Sequence, residues 1–331
     1  MKCPQEDEAR GPHRRAFARL LLGSLLLALA VAGILGPGRG SRSGKAAGHN
    51  VLLITLDTTR ADHLGCYGFA QAATPNLDRL AGEGIRFARV YAPAPLTLPS
   101  HASIMTGLYP ATHGVRNNGH ELVSKWKTLA EVLKGRGFTT AAFVSSFSVD
   151  SRFGIGRGFD VYDDTFEVQA PLKGANAERR AGDTFARFSR WLDGHAQDRF
   201  FAWVHYYDPH LPYDPPSPYR EGSPGRPYDG EIAYMDHYVG AILEALEAKG
   251  LRDKTLIVVA GDHGEGLGDK AETGHGIFLY EETMRVPLII NGRKAFPRPR
   301  VVEGAVRLVD VAPTILETLG FKAEASGMEG Q

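Results

Sequence analysis

Little in this sequence lends itself to cross-linking, nucleic-acid binding or repeated membrane crossing. Only two of its 331 residues are cysteines, Cys3 and Cys66. Cys3 precedes the one long apolar run and Cys66 follows it, so no disulfide is expected beyond that run. Without a Cys-rich cluster, any metal has to be held by carboxylates, imidazoles and hydroxyls. Formal net charge is zero, with 38 basic and 38 acidic side chains. That balance excludes the basic excess of a general nucleic-acid binder. No internal repeat is present, and no low-complexity tract beyond one N-terminal linker. What is there is ordinary for a globular chain: 43% hydrophobic and 23% charged, long enough for one large α/β domain.

The first fifty residues differ from the rest. Arg10, Arg14, Arg15 and Arg19 precede an apolar run over residues 20–35, which Gly36-Pro37-Gly38 ends. A Gly/Ser/Arg/Lys stretch follows, to about residue 48. This is the layout of a secretory signal or an N-terminal membrane anchor. The run is long for the apolar part of a signal and short for a full span, and Ala30-Val31-Ala32 offers a small-residue cleavage site. The expectation is export to the periplasm or extracellular space, with a single transmembrane anchor if the segment is not cleaved. Residues 1–48 are read as signal or anchor plus linker, 49–322 as the catalytic domain and 323–331 as a C-terminal loop.

Beyond the linker, apolar runs alternate with helical patterns. Strands are expected over 51–56, 85–91, 139–144, 200–206, 255–260 and 286–290. Helices are expected over 75–81, 128–136, 176–195, 230–249 and 310–319. Near-continuous apolar strands alternating with amphipathic helices indicate an α/β fold, a mainly parallel sheet flanked by helices on both faces. In such sheets the ligand site lies beyond the carboxyl ends of the strands. Three strands deliver an acid or imidazole there: Asp57 after the first, Asp208 and His210 after 200–206, Asp262 and His263 after 255–260. One polar loop residue would be unremarkable. Three sets, all of metal-ligand type, point to a shared site.

Two segments carry the chemistry. In Gly261-Asp262-His263-Gly264-Glu265-Gly266 an Asp-His pair sits on a glycine-flanked turn and can present an oxygen and a nitrogen to one cation. In Leu96-Thr97-Leu98-Pro99-Ser100-His101 a hydroxyl stands just before Pro99, which can open a helix at its first turn. A helix N-terminus favours a phosphate or sulfate, and metal coordination would make the Thr97 hydroxyl an accessible nucleophile. The plain alternative for Thr97 is a helix N-cap. Arg60, Asn117 and Asn118 are candidates for binding the non-bridging oxygens of an ester, with a nearby carboxylate as the competing partner of Arg60. Trp126, Trp191 and Trp203 read as core, and the Pro-rich 212–227 stretch as a surface loop framing the substrate.

Leu56-Asp57-Thr58-Thr59-Arg60-Ala61-Asp62-His63, followed by Thr74-Pro75-Asn76-Leu77-Asp78, resembles the opening of the sulfatase family. Pro99-Ser100-His101 with Thr106-Gly107, His113-Gly114-Val115, Gly261-Asp262-His263-Gly264-Glu265, Arg285-Val286-Pro287-Leu288 and Asp310-Val311-Ala312-Pro313-Thr314 continue it in order. The resemblance implies an alkaline-phosphatase-like sheet, an anionic phosphate or sulfate ester as substrate, and a divalent metal held by Asp57, Thr97, Asp262 and His263, with Thr97 the nucleophile. Sulfatases that use formylglycine carry Cys or Ser at that position, within a Cys/Ser-x-Pro-x-Arg motif. Here Thr97 and His101 stand at the first and last places, and Thr cannot become that aldehyde, so direct alkoxide attack is expected. Thr58 replaces the usual second Asp of the opening. Fewer carboxylates and a His ligand favour zinc or manganese, with calcium allowed.

Thr at this position is similar to the phosphoethanolamine transferases and nucleotide pyrophosphatases of the superfamily. By that likeness His275, in Gly274-His275-Gly276, would contact the transferred group, and His210 is a similar catalytic candidate. Arg60, His101, Asn117 and Asp208 are taken as substrate-binding. The leading expectation is a hydrolase of phosphate or sulfate esters acting through a covalent Thr97 intermediate. The alternatives are a phosphoryl-group transferase at the membrane and a non-catalytic binding protein. Sulfatase-like chains usually continue past the 310–319 helix into a small antiparallel sheet. That sheet is expected to be missing here, leaving the region 301–309 uncovered.

Overall fold

In the computed structural model, residues 49–166 and 178–331 are described. The signal or anchor expected over 1–48 therefore lies outside the described residues, as does the beginning of the helix expected over 176–195. Among the described residues no helix is long and apolar enough to cross a membrane.

Eight strands form one sheet: β1 (Asn50–Leu56), β2 (Ile85–Tyr91), β3 (Thr139–Phe143), β4 (Val161–Asp163), β5 (Phe200–Tyr206), β6 (Thr255–Gly261), β7 (Leu288–Asn291) and β8 (Arg300–Arg307). Their order is β4-β3-β5-β1-β6-β7-β2-β8. All neighbours pair parallel except β7, which runs antiparallel to both β6 and β2. The sheet is thus mostly parallel, as the apolar strand pattern predicts. Two strands were not anticipated. β4 is three residues long. β8, with sequence Arg-Val-Val-Glu-Gly-Ala-Val-Arg, is the outermost strand and is largely exposed, Val301 by 45%. An edge strand needs little apolar surface and leaves only a weak pattern.

The longer helices are α1 (Pro75–Glu83), α2 (Thr97–Thr106), α3 (Leu129–Gly135), α4 (Ala181–His195), α5 (Pro227–Ala248) and α6 (Val311–Thr318). Alternation along β1 sends its side chains to two separate cores. Val51 and Leu53 pack with α2, α3 and α6, through Leu98, Met105, Leu133 and Ile315. Leu52, Ile54 and Leu56 pack with α1, α4 and α5, through Leu80, Phe188 and Ile242. Trp203 lies in the first core and Trp191 in the second, as expected, whereas Trp126 is only half-buried and belongs to neither.

Thr128 and Glu131 form a reciprocal capping box at the start of α3: Glu131 N–H donates to Thr128 Oγ1 (3.1 Å) and Thr128 N–H to Glu131 Oε2 (2.8 Å). Thr128→Ala is expected to lower stability by about 1 kcal/mol, read as a shift in the urea midpoint at unchanged slope. An unchanged midpoint would remove the box from the account of this helix.

The last residues are not a loose loop. A 3-10 turn spans Lys322–Ala325. Glu329 N–H then donates to Gly107 O (2.8 Å), and the Glu329 carboxylate accepts from Tyr109 N–H (2.7 Å) and the Thr112 hydroxyl (2.9 Å). This segment fastens the C-terminal end of α2.

Candidate active site

The sheet register sets the floor of the site. Leu56 stands opposite Tyr206 on β5 and Gly261 on β6. The residues that follow Leu56 and Gly261, Asp57 and Asp262, therefore leave the sheet side by side. Asp57 N–H donates to Tyr206 O at 2.9 Å, which carries the strand geometry one residue further. Val51, Leu53, Thr55 and Asp57 share the face that packs against α2. Thr55 pairs with His205 on β5, so His205 joins the same face.

Asp57, Asp262 and His263 offer ligand atoms that all lie within 4.8 Å of one another, and all three residues are buried. His263 Nε2 is 3.5 Å from both Asp57 Oδ1 and Asp262 Oδ2, and 3.3 Å from Thr97 Oγ1. His205 Nε2 approaches Asp57 Oδ2 at 3.3 Å but is not aligned to donate. Both Asp57 oxygens and Asp262 Oδ2 are thus buried with no hydrogen-bond donor among the described residues. Buried carboxylate oxygens without donors are costly, and a divalent cation would supply what they lack. The donor set, two carboxylates and an imidazole beside a hydroxyl, fits such an ion.

The electrostatics agree. Burial alone would raise the Asp57 carboxyl, but the adjoining His205 ring outweighs it and holds it below the ordinary carboxylate range. Asp262 goes the other way: burial and the neighbouring Asp57 charge push its carboxyl well above that range. Two adjacent carboxylates cannot both ionise cheaply without a cation. Burial keeps the His263 ring from taking up a proton, which leaves a neutral imidazole, the form that ligates.

Thr97 is the first residue of α2, and Leu96 occupies the N-cap with no side-chain hydrogen bond. The plain alternative of Thr97 as a cap does not hold. Instead Asn118 Oδ1 accepts from Leu98 N–H at 2.9 Å, which leaves the Thr97 hydroxyl turned toward His263. The rings of His263 and His275 have centroids 4.2 Å apart. His275 Nδ1 donates to Pro95 O (3.1 Å) and His210 Nδ1 to Leu211 O (2.9 Å), and their Nε2 atoms face each other at 3.4 Å.

Residues 49–321 match the sequence profile of the family described as Sulfatase. The chain belongs to the sulfatase family. The ulvan-active sulfatase of Formosa agariphila is 26% identical over 85% of this chain and 63% of its own length. Human arylsulfatase A is 30% identical over 82% of this chain and 64% of its own. The chain therefore spans less than two thirds of the length of these relatives. Among solved structures, the phosphonate monoester hydrolase of Agrobacterium radiobacter superposes with a TM-score of 0.72 at 24% identity, over 82% of this chain and 74% of that one. At that identity the likeness speaks for the fold.

Within this sulfatase frame, four residues expected at the substrate are placed elsewhere. Arg60 is held by Asp62 (Nη2 to Oδ2, 2.7 Å) and by Asp269 (Nη1 to Oδ2, 2.7 Å), so the competing carboxylates take it. His101 is fully buried beneath the cluster. Its Nδ1 donates to Thr97 O (2.8 Å) and its Nε2 accepts from the Thr55 hydroxyl (2.9 Å), and burial pushes its ring down to about 3, so it stays neutral. Asp208 Oδ2 accepts from Ala181 N–H (2.9 Å) at the start of α4. Asn117 is exposed and only braces its neighbour, whose N–H donates to its Oδ1 at 2.9 Å; Asn118 is the residue that reaches α2.

Sequence reasoning missed His205 and Glu265. His205 sits inside a fully buried strand, and a histidine in an otherwise apolar run was the available signal. Glu265 accepts from the Tyr213 hydroxyl at 2.9 Å, while its Oε1 is buried without a donor. Burial pushes its carboxyl up to about 7, with the Tyr213 hydrogen bond pulling against it.

Gly264 holds the turn that carries Asp262 and His263. A Cβ there would start 1.9 Å from Glu282 O, a backbone atom that cannot step aside. Gly264→Ala is expected to cost about 1–3 kcal/mol of stability and to weaken metal binding, measured by urea denaturation and by calorimetry. Wild-type values in both would mean that the turn yields freely.

Proposed function

We propose that this sulfatase-family chain is a metal-dependent hydrolase of phosphoric or sulfuric esters with Thr97 as nucleophile. One observation carries the reading: the Thr97 hydroxyl at a helix N-terminus stands 3.3 Å from His263, beside buried Asp57 and Asp262 oxygens that have no donor. A divalent cation held by Asp57, Asp262 and His263 would lower the pKa of the Thr97 hydroxyl and screen the charge of the ester. The mixed oxygen and nitrogen donors favour zinc or manganese.

The residues of the chain divide the remaining work. The Thr97 hydroxyl loses its proton to solvent, and its oxygen forms a bond to phosphorus or sulfur while the bond to the leaving oxygen breaks. The N-terminus of α2 attracts the anionic group. His210 and His275 have both Nδ1 atoms committed as donors, so their facing Nε2 atoms make a hydrogen bond only when one is protonated. That shared proton can pass to the leaving oxygen and release the alcohol. Water then cleaves the Thr97 ester, restores the hydroxyl and frees phosphate or sulfate.

The test is turnover of 4-nitrophenyl phosphate, bis(4-nitrophenyl) phosphate and 4-nitrophenyl sulfate with zinc, manganese or calcium. Turnover of at least one ester with at least one metal is expected. Protein that binds a metal stoichiometrically yet turns over none of the three would overturn the hydrolase reading.

A further inference from the structure

Four of the seven exposed large apolar side chains among the described residues belong to one rim: Leu211, Ile277, Phe278 and Leu279, exposed by 39%, 77%, 41% and 73%. Leu211 directly follows His210, and the Ile277–Leu279 stretch follows His275 after Gly276. Leu211 Cδ1 lies 3.9 Å from where a side chain on Gly274 would begin, which brings the two segments together. Gly276, at φ +100°, presses against the nucleophile loop, since a Cβ there would start 3.1 Å from Leu96 Cδ2. Leu96 immediately precedes Thr97. The exposed side chains therefore border the entrance to the Thr97 hydroxyl.

The backbone beneath them is fastened. The buried Glu272 carboxylate accepts from Ile277 N–H (2.9 Å) and Phe278 N–H (3.2 Å), and the Thr283 hydroxyl donates to Phe278 O (3.0 Å). A loop tied down at its amides while its largest apolar side chains face water is shaped to receive something apolar. An ester at Thr97 can lay its organic part along this rim.

We infer that the loop after His275 is a rest for the apolar part of the substrate, and that the substrate is an amphiphilic ester. Its anionic head meets Thr97, and an alkyl, acyl or ring system lies across Leu211, Ile277, Phe278 and Leu279. The inference rests on the ester-site reading above and adds the substrate class.

The test compares methyl phosphate with hexyl phosphate as ligands of zinc-loaded protein, by calorimetry, in wild type and in the Ile277→Ser/Leu279→Ser double variant. Both positions are solvent-facing, so the variant is expected to fold. Full burial gives a factor of about four per methylene, and contact on one side about two. Hexyl phosphate should thus bind about 30-fold tighter than methyl phosphate to wild type, and less than about threefold tighter to the variant. Equal affinities in wild type, or a preference unchanged in the variant, would overturn the inference. So would an unchanged preference combined with loss of binding to phosphatidylcholine vesicles in the variant, which would assign the loop to a membrane surface. Binding does not require turnover. A hexyl preference without hydrolysis of any ester leaves the rest standing and sinks the hydrolase reading alone.

Discussion

Thr97→Ala is expected to abolish ester turnover, by about 10⁴-fold or more, in a protein that still folds. The Thr97 side chain caps nothing, since Leu96 holds the cap position and Asn118 satisfies Leu98 N–H. Its loss therefore leaves the start of α2 intact, and the thermal midpoint should move by only a few degrees. Thr97→Ser keeps the hydroxyl and should retain part of the activity. That pattern separates a nucleophile from a packing residue, for which Ala and Ser would differ little. Activity of Thr97→Ala within about tenfold of wild type would reject the assignment.

Asp262→Asn tests the metal centre through a reversal of sign. In metal-free protein the variant should be the more stable, because burial and the neighbouring Asp57 charge disfavour the Asp262 carboxylate. In the presence of zinc the order should invert, since the wild type gains binding free energy that the variant has lost. Turnover should fall by about 10³-fold or more in the variant, and as far in wild type stripped by a chelator. Melting curves with and without zinc read the inversion directly. Asp262→Asn less stable than wild type under both conditions would make Asp262 an ordinary structural residue. Stoichiometric zinc surviving in Asp262→Ala/His263→Ala would place the ion elsewhere.

The sheet and the heart of the site were legible for the same reason. Asp57 and Asp262 each end an unbroken apolar strand, and an acid at that point in a parallel sheet lands at the ligand end whatever the tertiary details. The start of a helix at Thr97 was legible because Pro99 marks a helix's first turn. The direction of β7 was not legible, since local hydrophobicity says nothing about whether a strand runs up or down. β8 escaped because an exposed edge has no need of an apolar run. For Arg60 the sequence left a nearby carboxylate open as partner: Asp62 is local, while the second partner, Asp269, is about two hundred residues away and only the fold brings it in. Asn117 and Asn118 are alike in type, and only the fold decides which reaches Leu98 N–H. His205 was hidden by its strand: a polar residue in a buried run looks like a packing exception until the register sets it beside Asp57.

The reversed β7 has a consequence for how such a protein can change. A parallel neighbour would require the chain after β6 to travel back along the sheet before entering the next strand. Because β7 is antiparallel to β6, the chain from Asp262 to Pro287 leaves and re-enters at the same end. That single excursion carries Asp262, His263 and His275 together with the exposed Ile277–Leu279 stretch. Its outer half can lengthen, shorten or be exchanged without disturbing a helix or the strand order. Two of the three clustered ligand-type residues and the exposed apolar stretch thus share one excursion, its inner part rooted in the sheet and its outer part in solvent.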